Sequence, residues 1–316
     1  MTDGVGLTGA ASRRTPPILI VNADDYGLTE GISYGILRAH EEGVVTSTSV
    51  LAVGPAYGKV SGRLADHPML GVGIHLAAVG EDPPLLSALE IPTLLNRRGE
   101  LSRSYKGLIA RLAVGAVDPA DIRREFVAQI EAVRELGLEI THLDAHQHLH
   151  LWPAVGRIVL DLAQQFAIPA VRVTRCRGTA IGPAISFLAN RLADRASTAG
   201  IAHPEDAAGL EWAGQLGRAK LARALDRLAA RGARSCELGV HPGLADDPDR
   251  GRYSWGYEWA AEFDALTCPE TAALVEQHGF RLGTYRDLPS VTTSHAIEAE
   301  APGPTGNANI AAGAAV

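Results

Sequence analysis

Residues 141–150 read THLDAHQHLH, and this stretch decides how the rest of the chain is interpreted. It holds four of the chain's 11 histidines. Potential ligands recur with a period of about two, the spacing that places side chains on one face of an extended strand. Trp152-Pro153 follows, and proline is common at the first position of a helix. We therefore predict a strand with a polar cluster at its carboxyl end, where α/β proteins build their sites.

Short apolar runs alternate with helical patterns along most of the chain, which is typical of a parallel α/β fold. The strands are predicted at 17–23, 44–51, 70–76, 139–145, 169–174, 235–240 and 280–282. We expect a single α/β domain, a distorted or incomplete (β/α) barrel with a mostly parallel sheet, over residues 16–290. Small polar residues predict disordered segments at 1–15 and 291–316.

The composition excludes several classes of protein. A net charge of −7 without basic clusters argues against nucleic acid and anionic membranes as partners. The chain has no apolar run of about 18 residues, and its three cysteines lack CxxC spacing. These features predict a cytoplasmic protein and leave its oligomeric state open, a homo-oligomer included. Neither a GxGxxG nor a GxxxxGK[ST] motif is present, so dinucleotide and P-loop chemistry are not indicated.

Polar residues stand at the ends of several predicted strands. Asp24 and Asp25 follow the first strand, His75 lies in the third, and His241 follows the run at 235–240. Each has a simple structural explanation, because Asp suits turns and a histidine can be hydrogen-bonded in a core. In a barrel, however, the carboxyl ends of the strands converge on one face. The coincidence with the cluster at 141–150 favours a shared site over a histidine-rich surface loop.

Two imidazoles and one carboxylate are the protein share of a catalytic metal site that keeps positions open for water and substrate. Adjacent Asp24 and Asp25 cannot point the same way on a strand, because successive side chains alternate. One of them is expected to bind metal while the other acts as a base. We predict one divalent ion, magnesium or zinc, since nitrogen ligands favour zinc and open water positions also suit magnesium.

Several segments together resemble the YdjC-like carbohydrate deacetylase family, which includes chitooligosaccharide deacetylases and proteins associated with hopanoid biosynthesis. They are NADDYG at 22–27, TSTSV at 46–50, GIHL at 73–76, the stretch at 141–150, and HPG at 241–243 with RLGTYRDL at 281–288. The similarity runs from about residue 17 to 288. It implies a distorted (β/α) barrel and hydrolysis of an N-acetyl group from an amino sugar or an N-acetylglucosamine oligosaccharide, with water on the metal as nucleophile.

The resemblance also implies roles for individual residues. Asp25, His75 and His146 match the metal ligands, Asp24 matches the general base, and His241 matches the residue that protonates the leaving amine. Either His148 or His150 would replace His146 as the ligand if the strand register differs. Residues expected in the pocket or next to the ligands are His148, His150, Asp144, Arg172 and Trp255.

The sequence departs from the family pattern at Tyr26, where phenylalanine is usual. Residues 77–117, which we interpret as a long insertion, and residues 175–234 carry no alignable motif, so the exact sugar stays open. An alternative is another barrel metal hydrolase acting on a non-sugar amide or a phosphoester. It is disfavoured because the first strand ends in two aspartates instead of an HxH pair. A catalytically silent carbohydrate-binding protein is disfavoured because all five candidate site residues are present.

Overall fold

A computed structural model of the protein describes residues 15–289. The segments predicted to be disordered, 1–15 and 291–316, lie outside the described residues apart from Thr15. No helix within residues 15–289 is long and apolar enough to cross a membrane.

Seven parallel strands form the sheet of the described chain. Six of them lie in the order β4-β3-β2-β1-β6-β5, and β7 pairs with β1. The strands are β1 (Ile18–Tyr26), β2 (Ser47–Val50), β3 (Gly71–Leu76), β4 (Ile140–Ala145), β5 (Asp206–Ala208), β6 (Ser235–Val240) and β7 (Arg281–Gly283). One edge of β1 pairs with β6, while its other edge pairs first with β7 and then with β2. Every residue of β1 is buried, as expected for an apolar strand in a parallel sheet.

Helices connect the strands and cover the outside of the sheet. They are α1 (Glu30–Glu42), α2 (Tyr57–Val60), α3 (Tyr105–Ala113), α4 (Pro119–Arg134), α5 (Pro153–Gln165), α6 (Gly182–Thr198), α7 (Arg218–Arg231), α8 (Trp259–Thr267) and α9 (Pro269–Gln277). The starts of two helices follow directly from the sequence. Thr29 accepts from the amide of Ile32 to cap α1, and Asp118 caps α4 with Pro119 in its first turn.

The sheet curls into an incomplete barrel, which confirms the predicted fold class. Isolated parallel bridges join Leu143 to Val171 and Ala170 to Ala202, and they extend the pairing beyond β4. The interior of this barrel is unusually polar for a buried region. Side chains with at most 3% exposure there include Asn22, Ser49, His142, Asp144, Arg172 and Glu237. Such groups are tolerated inside only when they are paired, so the fold is built around a polar network.

The predictions differ from the structure in three elements. The strand expected at 169–174 is reduced to the two isolated bridges, at Ala170 and Val171. Pro169 has no backbone N–H and so cannot donate to a strand ladder. Strand β5 was missed because Asp-Ala-Ala has low strand propensity. The segment around Glu262 was not assigned to an element, and it forms helix α8. The insertion at 77–117 contains α3.

Candidate metal centre

Asp25, His75 and His146 meet at the carboxyl ends of β1, β3 and β4, and we call them the metal triad. His146 Nδ1 lies 3.5 Å from Asp25 Oδ1 and 3.3 Å from His75 Nε2. The third side of the triangle, from His75 Nε2 to Asp25 Oδ1, measures 3.6 Å. All three residues are buried, so these atoms face one another in a low-dielectric environment.

The donor set of the triad fits a divalent cation. Two ligands of a tetrahedral ion at about 2.1 Å are separated by about 3.4 Å, close to the three observed distances. Asp25 Oδ1 is buried and accepts no hydrogen bond from a described residue, which is costly for a carboxylate unless a cation or a donor reaches it. The triad could therefore hold a metal ion.

Asp144 orients His75 toward this centre. His75 Nδ1 donates to Asp144 Oδ1 at 2.7 Å, which leaves Nε2 directed at the other two members of the triad. Burial lowers the pKa of His75, but Asp144 and the neighbouring aspartates outweigh it and raise this pKa to about 9. Carboxylates that hold the second ring nitrogen of a metal-binding histidine fix its tautomer and strengthen it as a ligand.

Arg172 forms a second buried group, the arginine cluster, with Asp24, Asp144 and Glu237. Its Nη1 and Nη2 donate to the two oxygens of Asp24 at 2.7 and 2.6 Å. Nη1 also lies 2.7 Å from Asp144 Oδ2, and Nε donates to Glu237 Oε1 at 2.7 Å. A planar guanidinium with five donors is well suited to hold several carboxylates at once. Arg172 was expected in the pocket, and it pairs with carboxylates there.

Asp24 is held in its ionised form by this cluster. Burial raises the pKa of Asp24, but the charge of Arg172 and its hydrogen bonds lower the pKa well below the ordinary value. Asn22 Nδ2 also donates to Asp24 Oδ1 at 2.9 Å. The oxygens of Asp24 and Asp144 could form an alternative metal group with His75, but Arg172 already occupies them.

Buried charges of both signs meet in the two groups. The pKa values of Asp24, Asp25 and Asp144 lie below the ordinary carboxyl value, and Arg172 supplies one permanent positive charge. Burial raises the pKa of Glu237. Carboxylates at this depth are costly unless positive charge lies beside them, and a cation at the triad would add to the charge of Arg172.

His241 stands at the end of β6, beside Asp24. Its Nε2 lies 3.9 Å from Asp24 Oδ2, and its ring makes an edge contact with Tyr257 at 4.8 Å between centroids. Its backbone amide donates to Glu262 Oε2 at 2.6 Å. The residue expected to act as an acid is therefore next to the residue expected to act as a base.

The remaining histidines of the 141–150 stretch do not join the triad. Strand β4 ends at Ala145, and Gln147 and His148 adopt left-handed backbone conformations with φ of 51° and 53°. His148 Nδ1 contacts Thr174 Oγ1 at 3.1 Å, and the ring lines a cavity next to Asp24. His150 is buried without a hydrogen-bond partner at either ring nitrogen, and burial lowers its pKa to about 3. The expected period-two face is thus interrupted after Asp144.

Two small cavities border the site. One lies on the Asp24 side and is lined by residues that include His148, Thr174, Gly239 and His241. The other lies beside His146 and Trp255.

Trp255 borders the site, as expected. Its ring centroid lies 5.4 Å from that of His146, and its Nε1 donates to Glu81 Oε1 at 3.2 Å. Glu81 belongs to the 77–117 insertion, so this segment forms one wall of the site. Tyr26 does not reach the site, since its hydroxyl donates to the carbonyl of Val60 at 2.7 Å.

Sequence reasoning missed Glu237 and Glu262. The signal for Glu237 was available, because a glutamate inside the apolar run Ser235–Val240 is a charged residue in a buried strand. Glu262 carried no such signal, since acidic residues are common in helices. Its role depends on where α8 lies against β6, which spacing along the chain does not reveal.

Comparisons with known proteins agree with this architecture. The profile of the family described as YdjC-like protein matches residues 18–277. A carbohydrate deacetylase of Geobacillus stearothermophilus is 31% identical over 86% of this chain and 98% of its own length. A chitooligosaccharide deacetylase of Klebsiella pneumoniae strain 342 is 34% identical over 86% of this chain and 99% of its own.

Among solved structures, a protein of Enterococcus faecalis V583 described as a candidate cellobiose-phosphate cleavage protein superimposes with a TM-score of 0.72. The two chains are 24% identical, and the match covers 86% of this chain and 98% of the other, so the likeness concerns the fold. On the sequence evidence, the chain belongs to the YdjC-like protein family.

Proposed function

We propose that this YdjC-like protein is a metal-dependent deacetylase that hydrolyses the N-acetyl group of an amino sugar or of an N-acetylglucosamine oligosaccharide. The observation that carries the proposal is the metal triad next to Asp24 and His241 on one barrel face. Relatives named carbohydrate deacetylase and chitooligosaccharide deacetylase support the choice of substrate. The three described cysteines are free and buried, and we place the protein in the reducing cytoplasm.

Asp25, His75 and His146 would hold the ion. A divalent ion held there would lower the pKa of water and would polarise the acetyl carbonyl. Both zinc and magnesium catalyse such hydrolysis, and two imidazoles with one carboxylate favour zinc. Asp144 keeps the ring of His75 in the orientation that this requires.

Asp24 acts as the general base in this proposal. Its Oδ2 accepts one hydrogen bond, from Arg172 Nη1, and so keeps a lone pair for a proton of the attacking water. Arg172 keeps the carboxylate ionised and fixes its orientation by binding both oxygens.

His241 donates the proton that the leaving nitrogen needs. An amide nitrogen leaves as a neutral amine only if it is protonated as the C–N bond breaks, and imidazolium suits that transfer near neutral pH. In the balanced step, the water oxygen bonds to the acetyl carbon and Asp24 takes one water proton. The C–N bond then breaks as His241 protonates the nitrogen, which leaves as the free amine. The acetic acid formed ionises to acetate at neutral pH, and the proton on Asp24 returns to His241.

The experiment that tests this function is acetate release from N-acetylglucosamine and its oligomers up to the tetramer, in the presence of zinc or magnesium. We expect acetate and an equal amount of free amine from at least one of them. Release from a non-sugar amide or a phosphoester alone would replace the proposal with the alternative barrel hydrolase. No hydrolysis of any of these substrates by metal-loaded protein would exclude the proposed function.

A further inference from the structure

We propose that Glu262 is a positioning residue for His241, holding its imidazole and the neighbouring cavity wall in the geometry for protonating the leaving nitrogen. This inference rests on the proposed function. It concerns a buried carboxylate on α8 that the mechanism above does not use.

Glu262 binds two backbone amides from different parts of the chain. Its Oε2 accepts from the amide of His241 at 2.6 Å, and its Oε1 accepts from the amide of Leu216 at 2.9 Å. The segment before Leu216 contributes Leu210 and Ala213 to the cavity beside Asp24. A single side chain therefore fixes the end of β6 and the wall of the cavity relative to each other.

Burial makes this pairing unusual. Glu262 has 0% exposure, and no Lys or Arg of the described chain forms an ion pair with it. Burial raises the pKa of Glu262, whereas His241 and the two backbone amides lower it. A buried carboxylate without a permanent cation is rare unless its position serves a purpose, because several kcal/mol of hydration are lost.

A second contact holds the same loop. The amide of Gly243 donates to the carbonyl of Trp259 in α8 at 3.1 Å, and the amide of Leu244 donates to the carbonyl of Gly31 in α1 at 3.0 Å. Gly35 allows α1 to approach the loop this closely, because a Cβ atom at position 35 would lie about 2.6 Å from the Cα of Gly243. The loop after His241 is thus anchored from both sides, and Glu262 is the only side chain among these anchors that touches the amide of His241 itself.

The test compares two substrates that differ in their need for a proton. N-acetylglucosamine oligomers release an amine that must be protonated, whereas 4-nitrophenyl acetate releases a phenolate that leaves without one. Glu262→Gln should lower kcat on the amide by about 10²-fold with KM unchanged, the share usually supplied by a general acid. It should leave kcat on the ester near the wild-type value. Asp264→Asn, an exposed carboxylate on the same helix, is the matched control and should change neither.

The ratio of amide to ester turnover is measured on one preparation, so it does not depend on the fraction of folded protein. Glu262→Asp retains the charge and should recover part of the amide activity. An equal loss on both substrates, or no loss on either, would overturn the role of Glu262. Failure of the proposed function is distinct, because the wild type would then release no acetate from the sugars.

Discussion

The metal triad and the arginine cluster share the barrel interior, and they differ in whether their polar atoms are already paired. In the arginine cluster each carboxylate receives a charged donor from Arg172. In the triad, Asp25 Oδ1 has no donor and faces two imidazole nitrogens. Asp24 and Asp25 are chain neighbours, yet they belong to different groups. Asp25 adopts a left-handed conformation with φ of 70°, which turns it away from Asp24.

The buried aspartates and histidines at the ends of the strands therefore form two kinds of site. A group that is internally satisfied stabilises the fold and orients its members. A group that leaves a buried carboxylate oxygen without a donor is prepared for a cation from outside. Four substitutions test this distinction, and the one with the greatest predicted consequence comes first.

Removing the centre of the satisfied group should damage the fold. Arg172→Met leaves Asp24, Asp144 and Glu237 without their shared cation, and breaking a buried pair in this way costs about 3–5 kcal/mol. We expect a corresponding fall in the free energy of unfolding in urea. A loss below about 1 kcal/mol would show that the cluster is not the structural element we describe.

Removing a member of the unsatisfied group should affect metal binding more than folding. His146→Ala should abolish stoichiometric metal in the purified protein, measured by elemental analysis, together with deacetylase activity. Wild-type protein should gain about 2.7 kcal/mol of stability at a metal concentration of 100 times Kd, and the variant should gain none. Full retention of metal would contradict the assignment of the triad.

A substitution at Asp24 tests whether this residue acts as the base without holding the metal. Asp24→Asn should keep the metal, because its side chain is not one of the triad's facing atoms, but activity should fall by about 10²-fold or more. Metal content and acetate release are measured on the same sample. Turnover near the wild-type value would refute its role as the base.

The smallest effect is expected at His150. Its ring nitrogens have no partner among the described residues, so His150→Leu removes no hydrogen bond and should change stability by at most about 1 kcal/mol in either direction. Metal content should be unchanged. Loss of metal would instead make His150 the ligand that the 141–150 stretch contributes.

Much of the fold was predictable from sequence because apolar strands and capped helices are local patterns. The strands predicted at 70–76 and 235–240 match β3 and β6 closely. Asp25, His75 and His146 come together, although their roles stay predictions. The positions of His148 and His150 could not be predicted, because two left-handed residues after β4 end the period-two pattern. The contact of Glu262 with His241 could not be predicted either, because it depends on packing between elements distant in the sequence.

The pairing of β1 has a consequence for how the protein forms during synthesis. The first half of this central strand lies between β6 and β7, so Ile18 pairs with both Ser235 and Arg281. Contacts of such high sequence separation make folding slow, and a ribosome delivers the amino terminus first. Until the last third of the chain has emerged, β1 exposes an unpaired apolar edge, the kind of surface that invites aggregation. The first half of β1 can therefore be completed only after residues 235–240 and 281–283 have been synthesised.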